Sequence, residues 1–197
     1  MPRRTPKDSK TLKKIAEYAA SKDVDLWSTD EVHFQQHGSR CRMWIPPECK
    51  DPVVLHYPTR KSVGYFGAIR LCDGKMVYQR EDNAFNAQSY WKFMKKLRQM
   101  SCHTGRRVLV LADNARYHHA LLHAQWRDQC GDRFLQLFLP PYSPDLNPIE
   151  RVWKLTRRLA THNRYFETID HVVGAVEKQF ELWSKPNLAL KKLCAII

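Results

Sequence analysis

Three acidic side chains, Asp30, Asp113 and Glu150, stand where chemistry is easiest to build. Asp30 follows Val24 to Thr29 (VDLWST), a run of β-formers and apolar residues, and Asp113 follows Arg106 to Ala112 (RRVLVLA), a nearly continuous apolar run of the kind a doubly buried strand shows. Ligands of α/β sheets gather outside the carboxyl ends of strands, so an acid at each such end is positioned to act. Glu150 falls in the first turn of a helix expected to begin with Asn147 as cap and Pro148 at the first helical position. Pro140, Pro141, Pro144 and Pro148 stiffen the approach, so rigid parts deliver this third carboxylate. Like charges a few ångströms apart repel by several kcal/mol at an effective dielectric of about 20, so the cluster requires cations or raised pKa values. Magnesium is the natural cation. Two ions roughly 3.5 to 4 Å apart activate a water or sugar hydroxyl and stabilise the leaving oxygen of a phosphodiester, and manganese can replace magnesium among oxygen donors. The chemistry expected is that of a nuclease or a strand-transfer enzyme.

Plainer readings exist for each residue alone. Glu150 could complete a capping box with Asn147, Asp30 could be a turn residue, and Asp113 could be a strand-end acid before an Asn turn. His118 and His119 could be surface or core histidines, and Asp145 a turn residue. The joint placement of the three acids is what favours a shared site.

The elements that must hold them follow from periodicity. Residues 1–23 carry seven Lys or Arg against three acids, with a short helical pattern at Leu12, Ile15, Ala16 and Ala19, and read as a basic arm or linker. After the strand at 24–29, residues 31–62 show no sustained period and read as an inserted loop bearing Trp44, Arg40 and Arg42. Val63 to Cys72 and Lys75 to Arg80 flank Asp73-Gly74, the signal of an antiparallel hairpin. Asn86 caps an amphipathic, basic helix with Tyr90, Trp91, Met94 and Leu97 on its apolar side. The 106–112 strand, a helix from Ala115 to Cys130, a strand from Phe134 to Leu139 and the helix from Pro148 to about Leu159 follow. Ile169 to Trp183 forms a last helix, within a C-terminal helical extension over 166–197. The order predicts an α/β fold, a mixed sheet flanked by helices.

Composition narrows the function classes. A chain of 197 residues with 43% hydrophobic residues is sized for one packed domain. Lys and Arg total 33 against 20 Asp and Glu, a formal charge of +13, which points to a polyanionic partner, nucleic acid first. No apolar run reaches the roughly 20 residues that cross a bilayer, and MPRRTPKDSK lacks a signal core, so a cytosolic location without membrane contact is expected. The six cysteines are scattered and read as reduced thiols; Cys102, His103, His118, His119, His123 and Cys130 make no complete zinc pattern. With seven glycines there is no GxxxxGK[ST], GxGxxG or GxSxG, which removes the usual anchors of helicases, nicotinamide enzymes and serine hydrolases.

The string LPPYSPDLNPIERVWK (139–154), preceded by VLVLADNARYHHA (108–120) and by Asp30-Glu31 after a strand, resembles the catalytic region of DDE transposases, and within them the bacterial insertion-sequence branch of the mariner superfamily. PYSPDLNPIE is long and specific, DNARYH moderately so, Asp-Glu weakly; together they cover most of 24–165. The resemblance implies an RNase H-like catalytic domain over 24–165, with Asp30, Asp113 and Glu150 binding two catalytic Mg2+ ions. The second and third acids are separated by 36 residues, near the mid-thirties spacing of that family. It also implies metal-dependent cleavage at element ends, followed by attack of the freed 3′-hydroxyl on target DNA.

Candidate backbone-binding residues are Arg40 and Arg42 in the loop, Lys95 and Lys96 in the basic helix, and Arg151, Lys154, Arg157 and Arg158 after Glu150. The 31–62 loop is a candidate clamp for DNA or a second subunit, and an active homo-oligomer is expected. In one respect the chain departs from the family: only 29 residues precede Asp30, where relatives carry helix-turn-helix modules. The expectation is a catalytic half acting at the bacterial nucleoid, either the second of two reading frames joined during translation, with an upstream helix-turn-helix frame, or a remnant of a longer gene. The rival readings are a catalytically inactive DNA-binding remnant and a host RNase H-like nuclease.

Overall fold

The computed structural model describes residues 6–42, 44–49, 53, 55, 58–101, 105–140 and 144–195. Five strands form one mixed sheet: β1 (Val24–Gln35), β2 (Ser62–Arg70), β3 (Met76–Glu81), β4 (Arg107–Ala112) and β5 (Phe134–Phe138), in the order β3-β2-β1-β4-β5. β1–β2 and β2–β3 are antiparallel, whereas β1–β4 and β4–β5 are parallel. Helices α1 (Pro6–Ala20), α2 (Ala87–Ser101), α3 (Ala124–Cys130), α4 (Ile149–Thr156), α5 (Ile169–Trp183) and α6 (Leu188–Leu193) cover both faces. The α/β mixed sheet expected from the order of elements is what the chain forms.

Strand alternation assigns the faces. Val24, Leu26, Val32 and Phe34 of β1 point to the side of α1, α4 and α5, where Val152, Trp153, Val176 and Phe180 are buried. Trp27 points the other way, with Phe66, Tyr90, Phe93 and Leu97, under α2. The helical pattern in the basic N-terminal segment is α1, whose Ile15 is buried against Val24, Leu26, Leu109 and Leu111. The C-terminal segment packs through Phe180, Trp183 and Leu190.

Four boundaries differ from the sequence reading. β1 does not stop at Thr29 but continues to Gln35, so the loop assigned to 31–62 begins only at residue 36. Val32 and Phe34 are buried while His33 and Gln35 are exposed, an alternation that β2 extends by pairing Gln35 with Ser62. The 115–130 helix is broken into two tight turns, Arg116–His119 and Leu121–His123, before α3. Ala120 between them is extended (φ −57°, ψ 139°), because tertiary bonds that turn His118 inward outweigh helix propensity. Asn147 does not cap α4 with its side chain, and α4 passes after Thr156 into a wider π turn, Arg157–Thr161. The Asp73-Gly74 hairpin forms, closed by the Gly74 N–H donating to the Arg70 carbonyl at 2.8 Å, with Gly74 at φ +74° where a left-handed residue is required. Part of the proline-stiffened segment, residues 141–143, lies outside the described residues, as do Cys102 and His103. No helix among the described residues is long and apolar enough to cross a membrane.

Candidate active site

Parallel pairing of β1 with β4 sets Ser28 opposite Leu111. The same register carried two residues onward brings Asp30 opposite Asp113, so both acids lie at the carboxyl edge of β4. Asp30 is therefore mid-strand in β1 yet still at the edge that matters, because its neighbour β4 stops at Ala112.

Asp30 faces α4. Its Oδ2 accepts a hydrogen bond from Trp153 Nε1 at 3.2 Å, and the Trp153 indole comes close over Gly67. Burial, then repulsion from Glu31 and Glu150, push the Asp30 carboxyl up to about 8. Glu150 thus lies near enough to Asp30 for its charge to be felt there. A carboxyl driven to keep its proton first by burial and then by neighbouring acids marks a place short of water and of positive charge. An all-oxygen donor set suits a hard divalent cation such as Mg2+ or Mn2+.

The start of α4 is fixed to β1 by a buried network. The Ser28 hydroxyl donates to Asn147 Oδ1 and accepts from the Ile149 N–H at 3.3 Å, while Asn147 Nδ2 donates to the Thr29 carbonyl at 3.1 Å. The cap of α4 is thus a serine of the central strand, which sets the height of Glu150 relative to Asp30. Thr29 Oγ1 donates to the Gly67 carbonyl at 2.8 Å and ties the same stretch of β1 to β2. A cleft beside α4 is lined by Asp145, Asn147, Glu150, Arg151 and Lys154.

Glu31, on the opposite face, meets Asp113 through a histidine. His118 Nε2 lies 3.0 Å from Glu31 Oε1, and His118 Nδ1 lies 2.9 Å from Asp113 Oδ1 and 3.1 Å from the Asp113 carbonyl. Burial alone would lower the imidazole pKa, but bonds to Asp113 and Glu31 outweigh it and raise it to about 9. The bond from His118 holds the Asp113 carboxyl below its usual range against the opposing effect of burial, and the Ala115 N–H adds to it at 3.1 Å. Ring contacts from Tyr90 (4.0 Å between centroids) and Tyr117 (4.6 Å) pin the imidazole.

Sequence reasoning named the three acids but missed Glu31 and His118 as members of the site. The available signal was the alternation of β1, which sends Glu31 to the face opposite Asp30. His119 instead lies tilted against Phe138, 4.0 Å between ring centroids, and His123 Nε2 pairs with the Ala87 carbonyl at 2.8 Å.

The candidate backbone-binding residues divide by what they touch. Arg40, Arg42, Lys154 and Arg158 are exposed. Lys95 sits 3.8 Å from the Trp91 ring centroid, and Lys96 Nζ donates to the Tyr78 carbonyl at 2.8 Å. Arg151 Nη1 donates to the carbonyls of Leu193 and Ala195, both at 2.9 Å, and so caps the end of α6. Arg157 lies over the Phe34 ring.

The family model of the DDE superfamily endonuclease matches residues 25–173. A protein of Sinorhizobium fredii (strain NBRC 101917 / NGR234), described as uncharacterized protein y4pE/y4sA, is 45% identical over 42 residues, 21% of this chain and 31% of that one. The Mos1 strand transfer complex superposes with a TM-score of 0.66 at 18% identity, over 98% of this chain and 59% of that chain. The Mos1 mariner paired end complex with Mn gives 0.66 at 17%, covering 98% and 60%. The catalytic domain of Mos1 mariner transposase gives 0.61 at 16%, covering 98% and 89%. At these identities the likeness is one of fold, the RNase H-like mixed sheet, and the chain spans about three-fifths of the two complexed Mos1 chains. With the family match running from the second residue of β1 into α5, the chain belongs to the DDE superfamily endonuclease family.

Proposed function

We propose that this chain is the catalytic part of a DNA transposase, in which Asp30, Asp113 and Glu150 hold two Mg2+ or Mn2+ ions, cleave DNA at element ends and direct a freed 3′-hydroxyl onto target DNA. The observation that supports this reading most is the register of β1 on β4, which puts Asp30 beside the end of β4 that Asp113 follows, with the start of α4 that bears Glu150 bonded to the same stretch of β1. When bound, the ions supply activation of a water or sugar hydroxyl and stabilisation of the leaving oxygen. The chain's own groups supply position. Trp153 orients the Asp30 carboxylate, the Ser28–Asn147 network sets Glu150, and the Ala115 N–H and His118 hold Asp113.

DNA backbone binding has two supports. Lys154 and Arg158 follow Glu150 along one helical side and remain exposed. At the far end of β1, a cleft of about 540 Å³ is lined by Arg40 and Arg60 with His37 and Thr59. The five steps along the strand from Asp30 to Gln35 span about 17 Å at the usual strand rise, a distance a duplex backbone readily bridges. Joining two element ends to one target requires both ends to be held together, so pairing of two copies belongs to the same proposal, as does action on bacterial nucleoid DNA.

The test is nicking of duplex element-end DNA in Mg2+ or Mn2+ by the wild type and by Asp30→Asn, Asp113→Asn and Glu150→Gln. Each substitution should abolish nicking while leaving the fold and salt-sensitive DNA binding in place. Nicking at the wild-type rate by any of the three refutes its assignment. Metal-independent binding without cleavage by the wild type refutes the activity.

A further inference from the structure

We propose that Glu31 and His118 are positioning residues for Asp113: Glu31 holds the imidazole, the imidazole holds the Asp113 carboxylate, and Glu31 acts through His118 rather than as a fourth ligand of the metal ions. The inference rests on the function proposed above and deepens it.

The geometry is that of a bridge. Both imidazole nitrogens are engaged, Nε2 with Glu31 Oε1 at 3.0 Å and Nδ1 with Asp113 at 2.9 Å, and they sit on opposite edges of the ring. Donor atoms of Glu31, Asp113 and His118 lie within 4.8 Å of one another, so an ion seated among the three is the competing reading. Such an ion could take only one of the two ring nitrogens and would replace the hydrogen bond that this nitrogen makes, to Glu31 or to Asp113. The ring has little freedom to turn. It is 1% exposed, lies between Tyr90 and Tyr117, and its backbone is fixed by the His118 N–H to the Ala115 carbonyl (3.0 Å) and by Arg127 Nη1 to the His118 carbonyl (3.2 Å).

Asp113 needs this help more than its partners do. Asp30 is built into the centre of a paired strand and Glu150 into a helix pinned to that strand, whereas Asp113 lies beyond the end of β4 with its side chain half exposed. Two donors, the Ala115 N–H and His118 Nδ1, restrict it. Groups that orient a metal-binding carboxylate typically change metal affinity by about 10- to 100-fold when removed.

The test separates a hydrogen-bond acceptor from a ligand. Mn2+ affinity of the whole chain is measured by calorimetry and by loss of the free Mn2+ electron paramagnetic signal, for Glu31→Gln, Glu31→Ala, His118→Ala, Asp30→Asn and the double variant Glu31→Ala/His118→Ala. An amide oxygen still accepts from His118, so Glu31→Gln is expected to stay within about threefold of wild type. Glu31→Ala and His118→Ala are expected to lose about 10- to 100-fold. The double variant should bind no more weakly than His118→Ala, because the two residues act in series. In the metal-free chain, the slowly exchanging Nε2–H signal of His118 should persist in Glu31→Gln and vanish in Glu31→Ala, while the Nδ1–H signal, held by Asp113, remains in both. That readout decides the link between the two residues even where His118→Ala fails to fold.

Glu31→Gln binding Mn2+ as poorly as Asp30→Asn overturns the proposal and makes Glu31 a ligand. Multiplicative losses in the double variant, or wild-type affinity in His118→Ala, overturn it as well. Those results leave the proposed function standing. A wild-type chain that binds no Mn2+ overturns the proposed function, and this inference with it.

Discussion

Gly67→Ala tests how Asp30 is covered. Gly67 pairs with Asp30 across β1 and β2, and a Cβ at this position would lie 2.2 Å from Trp153 Cη2 and 2.9 Å from Cζ2. Trp153 is 1% exposed, so the indole has no open space into which to retreat. Overpacking of this kind costs about 1 to 3 kcal/mol. An indole pushed off the sheet also loses its bond to Asp30, a further 1 kcal/mol or roughly that. A total near 3 kcal/mol corresponds to a fall in Tm of about 6 to 12 °C for a domain of this size. Urea denaturation should show a lower midpoint with an unchanged slope. Trp153→Phe removes the two atoms that clash, so Gly67→Ala should cost at least about 1 kcal/mol less in that background than in the wild type. A cost below about 0.5 kcal/mol, or equal costs in the two backgrounds, refutes the claim that glycine is required by the approach of Trp153.

Asn147→Ala strips two partners from the Ser28–Thr29 segment in a buried setting, and urea denaturation should show a loss of about 2 to 3 kcal/mol, whereas an exposed cap would cost about 1. The raised pKa of Asp30, about 8 against the ordinary 3.8, means that the folded chain keeps a proton the unfolded chain has lost. Metal-free stability from this group therefore falls as pH rises from about 4 to 8, and Asp30→Asn should flatten that part of the urea-derived profile; an unchanged profile counts against the coupling. The same proton must leave when a cation binds, so Mn2+ affinity measured by calorimetry should rise about tenfold per pH unit below pH 8. Lys154→Ala and Arg158→Ala should each reduce the slope of log K for DNA against log salt by about 1, while Arg151→Ala, which uncaps α6, should lower stability and leave the slope unchanged.

The settings of two of the acids were legible because their signals are local, an apolar strand that ends before Asp113 and a proline-marked helix start before Glu150, whereas Asp30 lies within β1 rather than at its end. The strand order around them was also readable, since the hairpin and the two parallel strands each carry their own periodicity. What escaped depends on contacts distant in sequence. Asn147 has the residue type and position of a cap, yet Ser28, 119 residues away, supplies the bond to α4 and turns Asn147 into a strap on β1. His118 reads as part of a helix until its bonds to Glu31 and Asp113 are seen to hold it in a tight turn. Arg151 and Lys96 count toward a basic surface in the sequence, but carbonyls of α6 and β3 take them.

The alternation of β1 explains why this site needs two faces of the sheet and a gap between them. Asp30 and Glu31 are adjacent, so they point to opposite faces, the first toward α4 with Trp153 and the second toward His118. A continuous neighbouring strand would keep the two sets of groups apart. β4, however, pairs with β1 only over Val24 to Ser28 and stops at Ala112, while β1 runs on to Gln35 supported by β2 alone. The missing continuation of β4 leaves a notch along one edge of β1. Asp113 follows the end of β4 beside that notch, where His118 joins it to Glu31. A register slip of one residue would exchange the faces of Asp30 and Glu31 and dismantle the arrangement. This accounts for the several independent bonds, Thr29 to Gly67, Ser28 to Ile149 and Asn147 to Thr29, concentrated on the two residues before Asp30.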